Sequence, residues 1–366
     1  MRIAINLIPF SSIQGTEIFL KNIISNILKF KKNEKFFIFC TEDLPPLLNF
    51  PQLETIKIKG LKFKYGKALY QQIGFYFLLK KYQIDFLFSP SPIAPIFYKN
   101  KIVVIHDCAY DRFFEFENLF SKTYFKIIYY SAKYFSKKII TISNFSKNEL
   151  IKLYKINPNK IEVICEGVPE LPGVSEDFIQ KTLNKFKIDR PYFLYIGNWR
   201  PRKNLIGLIK AFKIFREKNN LDFLLVIGGK RDKRFLDLEG EIKKNQLERR
   251  VILTDILTRE EVAALYKKAK MLTFPSFYEG FGLPILEAQS LGIPVLTSNI
   301  SSLPEVGGNS VLYVNPYNVE EIAQGMEKIT FDEKLRQALV KKGFENIKRF
   351  SWEKSAQKLI DLFHNF

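Results

Sequence analysis

The sequence predicts an α/β protein of two Rossmann-like domains, each a doubly wound parallel sheet, facing one another across a cleft. Three observations lead there. Short β-rich apolar runs alternate with segments of helical period along the whole chain, and such alternation folds as a parallel sheet with helices on both faces. The alternation breaks once, at VPELPGVSED (residues 168–177), whose proline, glycine and acid mark a linker. The 366 residues also exceed one ordinary core and suit two. Ligands of such sheets lie beyond the carboxyl ends of the strands, so the cleft is the expected site.

In the first half RIAINL, FFIFC, ETIKIK, FLF, KIVVIH, IITI and KIEVI read as strands. Between the first two, EIFLKNIISNILKF reads as a helix with Ile18, Phe19, Ile23, Ile24, Ile27 and Leu28 on one face. In the second half PYFLYIG, DFLLVIGG, RVILT, MLTF, IPVLT and SVLYV read as strands, each followed by a helical pattern, and WEKSAQKLIDLF forms a last helix. The opening MRIAINLIPF carries one Arg and no small-residue cleavage site, so it reads as a buried strand rather than a signal peptide. No run reaches the ~18 uncharged apolar residues of a membrane-spanning helix.

Apolar residues make up 46% of the chain and aromatic residues 15%, enough for two cores, and 26% charged is ordinary for a folded protein. Cys40, Cys108 and Cys165 lie far apart without metal-ligand spacing and read as small core residues in a reducing cytoplasm. Two histidines in the whole chain exclude a His-rich metal site. The formal charge of +19 is shared between the halves, with 25 basic and 14 acidic residues up to residue 170 and 32 and 24 beyond it. A biased genome composition accounts for this excess as readily as an anionic membrane, phosphate-bearing ligands or nucleic acid would. None of the familiar nucleic-acid-binding motifs is present, and no G-x-G-x-x-G follows the first strand, which counts against a dinucleotide dehydrogenase.

Four constellations carry chemistry. In SFYEGFGLPILEA, Glu279 and Glu287 flank Gly280 and Gly282 where a helix begins at Pro284. Helix-start amides there favour an anion or a sugar oxygen, and Glu287, one turn in, suits a diol. Either glutamate alone could simply favour the positive helix start, an effect of ~0.3–1 kcal/mol. In FLYIGNWRPRKNLIGL a strand ends at Gly197, and Arg200, Arg202 and Lys203 precede a helix that Asn204 could cap. Basic side chains with helix-start amides make a diphosphate cradle; an ordinary basic loop is the alternative. His106 and Asp107 stand at the end of the strand KIVVIH, able to bond a substrate hydroxyl or merely to shape a turn. Gly15 and Thr16 lead into the first helix, where amides could approach phosphate.

The E-x7-E segment with FGLPILEA, the G-x5-K-N turn, the His-Asp pair after a strand, and TISNFSKNEL together closely resemble family 4 of the retaining, nucleotide-sugar-dependent glycosyltransferases, which have the GT-B fold. VICEGVP, DILTREEVAALYKKA, SSLPEVGGNSVLYVNP and FSWEKSAQKLIDLF extend the resemblance over nearly the whole chain. Its flavour is that of bacterial mannosyltransferases of surface-polysaccharide assembly. The resemblance implies an acceptor-binding domain at 1–170, with a terminal helix at about 351–366 packing back onto it, and a nucleotide-sugar-binding domain at 171–350.

It further implies that Glu279 binds hydroxyls of the donor sugar and that the amides at Phe281, Gly282 and Leu283 hold the sugar and its phosphate. Glu287 would bind the ribose diol. Lys203 would bind the diphosphate with Arg202 beside it, and the base would lie near Asp255, Ile256 and Leu257. His106 matches the active-site histidine and Gly15 the phosphate-side glycine, although Gln14 replaces the usual first glycine of that pair. Asn198 stands where many members carry Arg directly after the strand-ending glycine, so Arg200 or Arg202 would supply that charge. No metal or other cofactor is expected.

The donor implied is GDP-mannose, with a UDP-hexose as the alternative, and the acceptor is a saccharide or lipid-linked saccharide. Lysines mixed with Tyr and Phe in SKTYFKIIYYSAKYFSKK and LKFKYGKALYQQIGFYFLLKKY suit the surface of an anionic bilayer, or else are aromatic core faces with solvated lysines. A cytoplasmic protein, peripheral on the inner face of the membrane, would follow from the first. Two other classes stay open on the residues alone. A glycosidase would need Glu279 and a second carboxylate ~5–9.5 Å apart, leaving the basic turn without a purpose. A non-catalytic sugar-nucleotide-binding protein would have kept the fold and lost the chemistry.

Overall fold

The computed structural model describes residues 1–8, 14–30, 33–41, 50–58, 70–113, 119–231 and 237–365. The lysine-aromatic stretch at 61–69 and residues 114–118 beyond the His-Asp turn lie outside the described residues. The chain divides into two compact units, Met1–Gly167 together with Ser351–Phe366, and Val168–Phe350.

The first unit is built on seven parallel strands: β1 (Arg2–Asn6), β2 (Lys35–Cys40), β3 (Glu54–Lys57), β4 (Phe86–Ser89), β5 (Lys101–Val104), β6 (Lys138–Thr141) and β7 (Ile161–Val163). Their order is β3-β2-β1-β4-β5-β6-β7, with Ile3 opposite both Phe36 and Phe86. The winding reverses between β1 and β4, which makes that edge the switch point where such sheets open a crevice. There the buried Asn6 amide donates to the Ser89 hydroxyl at 3.1 Å and the Ile93 carbonyl at 2.9 Å. Strands that are apolar on both faces must be covered on both. Helix Gln14–Phe30 buries Phe19, Leu20, Ile23, Ile24 and Ile27 on its inner face, while Ile18 and Leu28 stay half-buried at its margin.

That helix packs against the last helix of the chain, Trp352–His364, so the terminal segment belongs to the first unit. Phe363 packs edge-on against Phe36, Phe86 and Phe88 at 6.5, 5.7 and 6.1 Å. The Ser355 hydroxyl donates to the Cys165 carbonyl at 2.6 Å. A Cβ on Gly167 would meet the Trp352 backbone nitrogen at 2.4 Å, so only glycine admits this close crossing of the two segments.

The second unit has six parallel strands: β8 (Tyr192–Ile196), β9 (Leu224–Gly228), β10 (Val251–Asp255), β11 (Met271–Phe274), β12 (Val295–Ser298) and β13 (Leu312–Val314). Their order is β10-β9-β8-β11-β12-β13, and the switch point lies between β8 and β11. Phe193 packs with Phe212, Phe215 and Phe223 under one face. Helix starts are set locally. Thr258 and Glu261 form a reciprocal capping box at the start of Arg259–Lys268, which satisfies two otherwise orphaned amides. Ser175, Asn318 and Asp332 cap three further helices. All thirteen runs read as strands from the sequence are strands in the fold, within one to two residues at most ends.

Candidate functional site

The second unit gathers its polar groups at the carboxyl ends of the strands around its switch point. β8 runs out at Gly197, whose φ of 155° lets the chain turn sharply. Gly229, at the end of β9 with φ 135°, lies so close that a Cβ there would meet the Gly197 carbonyl oxygen at 2.1 Å. After Gly197 the chain forms a 3-10 turn, Pro201–Lys203, closed by the Lys203 amide donating to the Arg200 carbonyl at 2.9 Å. β11 ends at Phe274, and the Phe277 amide donates to the Arg202 carbonyl at 2.8 Å. That backbone bond ties the basic turn to the glutamate loop.

The side chains then converge. The Lys203 ammonium donates to both Glu279 carboxylate oxygens, at 2.6 and 2.7 Å, and stands 5.2 Å from the Phe274 ring centroid. An Arg202 guanidinium nitrogen donates to the same carboxylate at 2.9 Å and to the Tyr278 carbonyl at 2.8 Å. Glu279 and Lys203 are both buried. Burial alone would raise the Glu279 carboxyl, but Lys203 and Arg202 outweigh it and hold the group below its ordinary value. Two cations on one carboxylate leave a net positive charge at this edge of the sheet, the balance an anionic ligand requires.

The glutamate loop is itself fastened. The Ser302 hydroxyl donates to the carbonyls of Glu279 and Phe281 at 2.9 and 2.6 Å, and the Glu279 amide donates to Ser301 at 3.3 Å. Gly282, with φ 133°, takes a backbone conformation open to glycine and opens helix Leu283–Ser290, with Pro284 in its first turn. The amides at the start of this helix have no intrahelical acceptor. Glu287, one turn in, is buried and accepts from the Tyr266 hydroxyl at 3.3 Å. Burial pushes its carboxyl up, against Arg259 and the tyrosine.

At the next strand ends, Asp255 takes a left-handed conformation with φ 56° at an irregularity in the β9–β10 pairing. Its carboxylate accepts from Arg231 at 3.1 Å, Ile256 is exposed, and Leu257 is buried beside Gly228.

Of the residues singled out from sequence, Arg202, Lys203 and Glu279 are in direct contact. Glu287 is bonded to Tyr266 rather than to that cluster, Asp255 ends β10 with Ile256 and Leu257 just beyond it, and Arg200 shapes the turn through its backbone. His106 and Gly15 belong to the first unit. His106 follows β5 by two residues, half-buried, with its Nε2 3.3 Å from the Pro90 carbonyl oxygen and its ring edge-on to Phe19 at 5.1 Å. Burial draws its imidazole below the ordinary value, against Asp107 and the Pro90 carbonyl. The Asp107 carboxylate accepts from the Ala109 amide at 2.9 Å and shapes the turn.

Two expectations need correction. Asn204 sits at the start of helix Leu205–Asn219 but does not cap it. Its backbone is left-handed, with φ 56°, and its buried amide donates to the Pro275 and Pro316 carbonyls at 3.1 and 2.7 Å. A buried amide must be satisfied, and here two loop carbonyls compete successfully with the helix amides. Gly15, expected ahead of the first helix, lies inside its first turn, because the helix begins at Gln14.

Sequence reasoning gave no role to Ser301, Ser302 or Tyr266. The serines fell within the SSLPEVGG motif, but hydroxyls bonding to backbone amides and carbonyls more than twenty positions away leave no local periodicity to read. Among the described residues no group of three or more His, Cys, Asp or Glu is placed to hold a metal ion.

Comparison with known proteins bears on this arrangement. The family described as Glycosyltransferase Family 4 matches residues 31–170, and that described as Glycosyl transferases group 1 matches residues 177–346. The chain is 32% identical over 233 residues to the O-antigen chain mannosyltransferase B of Escherichia coli, covering 62% of this chain and 60% of that protein. It is 31% identical over 218 residues to the O-antigen chain mannosyltransferase RfbU of Salmonella typhimurium, covering 60% of this chain and 57% of that one. These matches thus span about 60% of each curated relative. Among solved structures, Anabaena Alr3699/HepE in complex with UDP and glucose superposes with a TM-score of 0.79 over 100% of both chains, at 16% identity. That likeness concerns the fold.

Proposed function

Since the chain belongs to the family 4, group 1 glycosyltransferases, we propose that it is a retaining hexosyltransferase that moves mannose from GDP-mannose onto a saccharide or lipid-linked saccharide acceptor during cell-surface polysaccharide synthesis. The observation that carries the reading is the buried Glu279 carboxylate held between Arg202 and Lys203 beside a helix start. A glycosidase needs paired carboxylates and has no use for cations locked onto one of them. The choice of mannose rests on the two mannosyltransferase relatives.

The chemistry follows from the charges. Departure of a nucleoside diphosphate builds negative charge on the leaving group. Lys203, Arg202 and the amides of Phe281, Gly282 and Leu283 are fixed at one edge of the sheet to meet it, and such preorganised donors lower the barrier without reorganisation. Glu279 and the diphosphate share the lysine in turn. When the diphosphate takes over the ammonium, the sugar hydroxyls replace it as donors to the carboxylate, which is kept ionised and accepting. Glu287 serves the ribose diol, and the end of β10 from Asp255 to Leu257 serves the base. The acceptor oxygen bonds to the anomeric carbon on the face the diphosphate leaves. Its proton passes to a phosphate oxygen, so an α-linked donor gives an α-linkage. His106 and Gly15, in the first unit, keep the donor-binding roles that the resemblance implies. The route asks for no metal ion, and its site of action for a lipid-linked acceptor is the inner face of the cell membrane.

Thermal unfolding in EDTA with GDP, UDP, ADP and their sugar conjugates tests the reading. A ligand at a hundred times its dissociation constant stabilises by about 2.7 kcal/mol, so GDP and GDP-mannose should raise the midpoint by several degrees. A rise with UDP-hexoses alone would replace mannose by another hexose. A flat response to the whole panel would overturn the transferase reading.

A further inference from the structure

The carboxyl end of the second sheet continues past the basic turn toward its edge strand, β10. Three backbone bonds carry the sheet beyond its strands. The Gly197 amide donates to the Gly228 carbonyl at 2.9 Å, the Trp199 amide to the Lys230 carbonyl at 3.1 Å, and the Gly229 amide to the Asp255 carbonyl at 2.9 Å. The segments that follow β8 and β9 are thus joined to the end of β10 in one ledge. Glycines at 197, 228 and 229 leave its middle without side chains.

Two charged side chains stand at the far end of this ledge. The Arg231 Nε donates to the Asp255 Oδ1 at 3.1 Å. The same guanidinium pairs with Glu239 through Nη1 and lies 5.1 Å from the centroid of the buried Trp199 ring. Arg231 is therefore held from three sides, and it in turn holds the Asp255 carboxylate. Asp255 itself keeps a left-handed backbone, φ 56°, at the irregular β9–β10 pairing, a conformation uncommon for any residue but glycine. The two side chains remain 26% and 54% exposed.

An ion pair so exposed adds little to folding stability, while fixing two long side chains in one geometry costs conformational entropy. The arrangement suits a ligand better than it suits the fold. Side by side, the pair offers N–H donors from Arg231 and two acceptor oxygens from Asp255. Guanine presents the complement along its edge, with O6 accepting and N1–H and N2–H donating. Uracil has a carbonyl oxygen on either side of its one N–H, so one of them would face the carboxylate. Adenine would set an amino donor against the arginine and a ring acceptor against the carboxylate. β10 lies two strand spacings, roughly 10 Å, from β8 and the basic turn, a distance that a ribose bridges between diphosphate and base.

We infer that Arg231 and Asp255 are the base-reading pair of the donor site and that they select guanine. Arg231 donates to O6, Asp255 accepts N1–H and N2–H, and Trp199 and Glu239 position the guanidinium. A site built to hydrogen-bond a group rejects analogues that leave its own polar atoms unpaired. The inference rests on the proposed transferase reading and deepens it, by naming the residues that choose the nucleoside.

The test is titration calorimetry of the full chain, in EDTA, with the diphosphates of guanosine, inosine, xanthosine and uridine. Inosine lacks the N2 amino group, and xanthosine carries an oxygen in its place. The wild type should bind GDP roughly tenfold or more tightly than the inosine and uridine diphosphates. Asp255→Asn retains a side chain that tolerates the left-handed backbone. It should lose roughly 10–100-fold for GDP and come to prefer xanthosine diphosphate, because the carboxamide donates to the new oxygen. Arg231→Gln should weaken GDP and inosine diphosphate alike and leave their ratio unchanged, since both carry O6. Unliganded melting temperatures close to that of the wild type show that the variants fold. Equal binding of GDP and inosine diphosphate by the wild type overturns the inference, as does an Asp255→Asn variant with the wild-type order of preference. Either result, or a preference for UDP, leaves the transferase reading standing. Silence with all four nucleotides overturns both.

Discussion

At the scale of single residues the second unit concentrates its electrostatics on one carboxylate. Removing one member of a buried, hydrogen-bonded ion pair strands the other and costs about 3–5 kcal/mol. Glu279 has two cationic partners and Lys203 shares its carboxylate. Glu279→Ala should therefore lower stability more than Lys203→Ala, and the double variant should lose less than the two singles added together. Urea unfolding of the four proteins decides this, and strict additivity would mean that the pair is not coupled. In transfer assays at sub-saturating donor, Lys203→Ala should cost about 1.5–3 kcal/mol, or roughly 10–100-fold in kcat/KM; near-normal turnover would remove Lys203 from the diphosphate.

Glu166 makes the opposite case. It is buried just beyond β7 with no hydrogen-bond or ion-pair partner among the described residues, and burial pushes its carboxyl up to about 8. The folded protein then keeps a proton that the unfolded chain gives up near 4.5. This contribution to stability is present at low pH and is lost as pH rises from about 4.5 through about 8, by at most ~1.4 kcal/mol per unit. Glu166→Gln should flatten the fall in melting temperature over that window, and curves of equal slope would show that the residue does not titrate there.

At the scale of elements the strands were the most legible part. Parallel strands buried on both faces read as short continuous apolar runs, and the thirteen named from sequence are those that pair. The Thr258–Glu261 box sets its helix start through neighbouring residues alone, whereas at Asn204, expected from the sequence as a cap, distant carbonyls take the side chain. The terminal helix shows how much one element can contribute to a unit it reaches only through the fold. Trp352–His364 covers Phe19, Phe36, Phe86 and Phe88 through Trp352 and Phe363, and burying a large apolar side chain is worth about 1.5–3 kcal/mol. Deleting residues 351–366 should lower the unfolding transition of the first unit by many degrees while leaving that of the second in place. A calorimetric trace with both transitions unmoved would show that the helix is not structural.

At the scale of the whole molecule, two units with separate sheets and cores define where each response should appear. Nucleotide should raise the transition of Val168–Phe350 and leave that of the first unit in place. By itself the sequence determined the class of fold, because short continuous apolar runs alternating with segments of 3.6 period admit little else, and it determined which residue types stand at strand ends. It singled out Lys203 and Glu279 separately. Only the tertiary structure decided that these residues, 76 positions apart, share a hydrogen bond. Only it decided that Ser302 fastens the loop that carries Glu279 and that Phe97 stays in solvent while its neighbour Tyr98 is buried. The physical reason is the same in each case. Periodicity reports which face of an element is apolar, whereas a contact depends on the order in which strands assemble into a sheet, which local sequence does not encode.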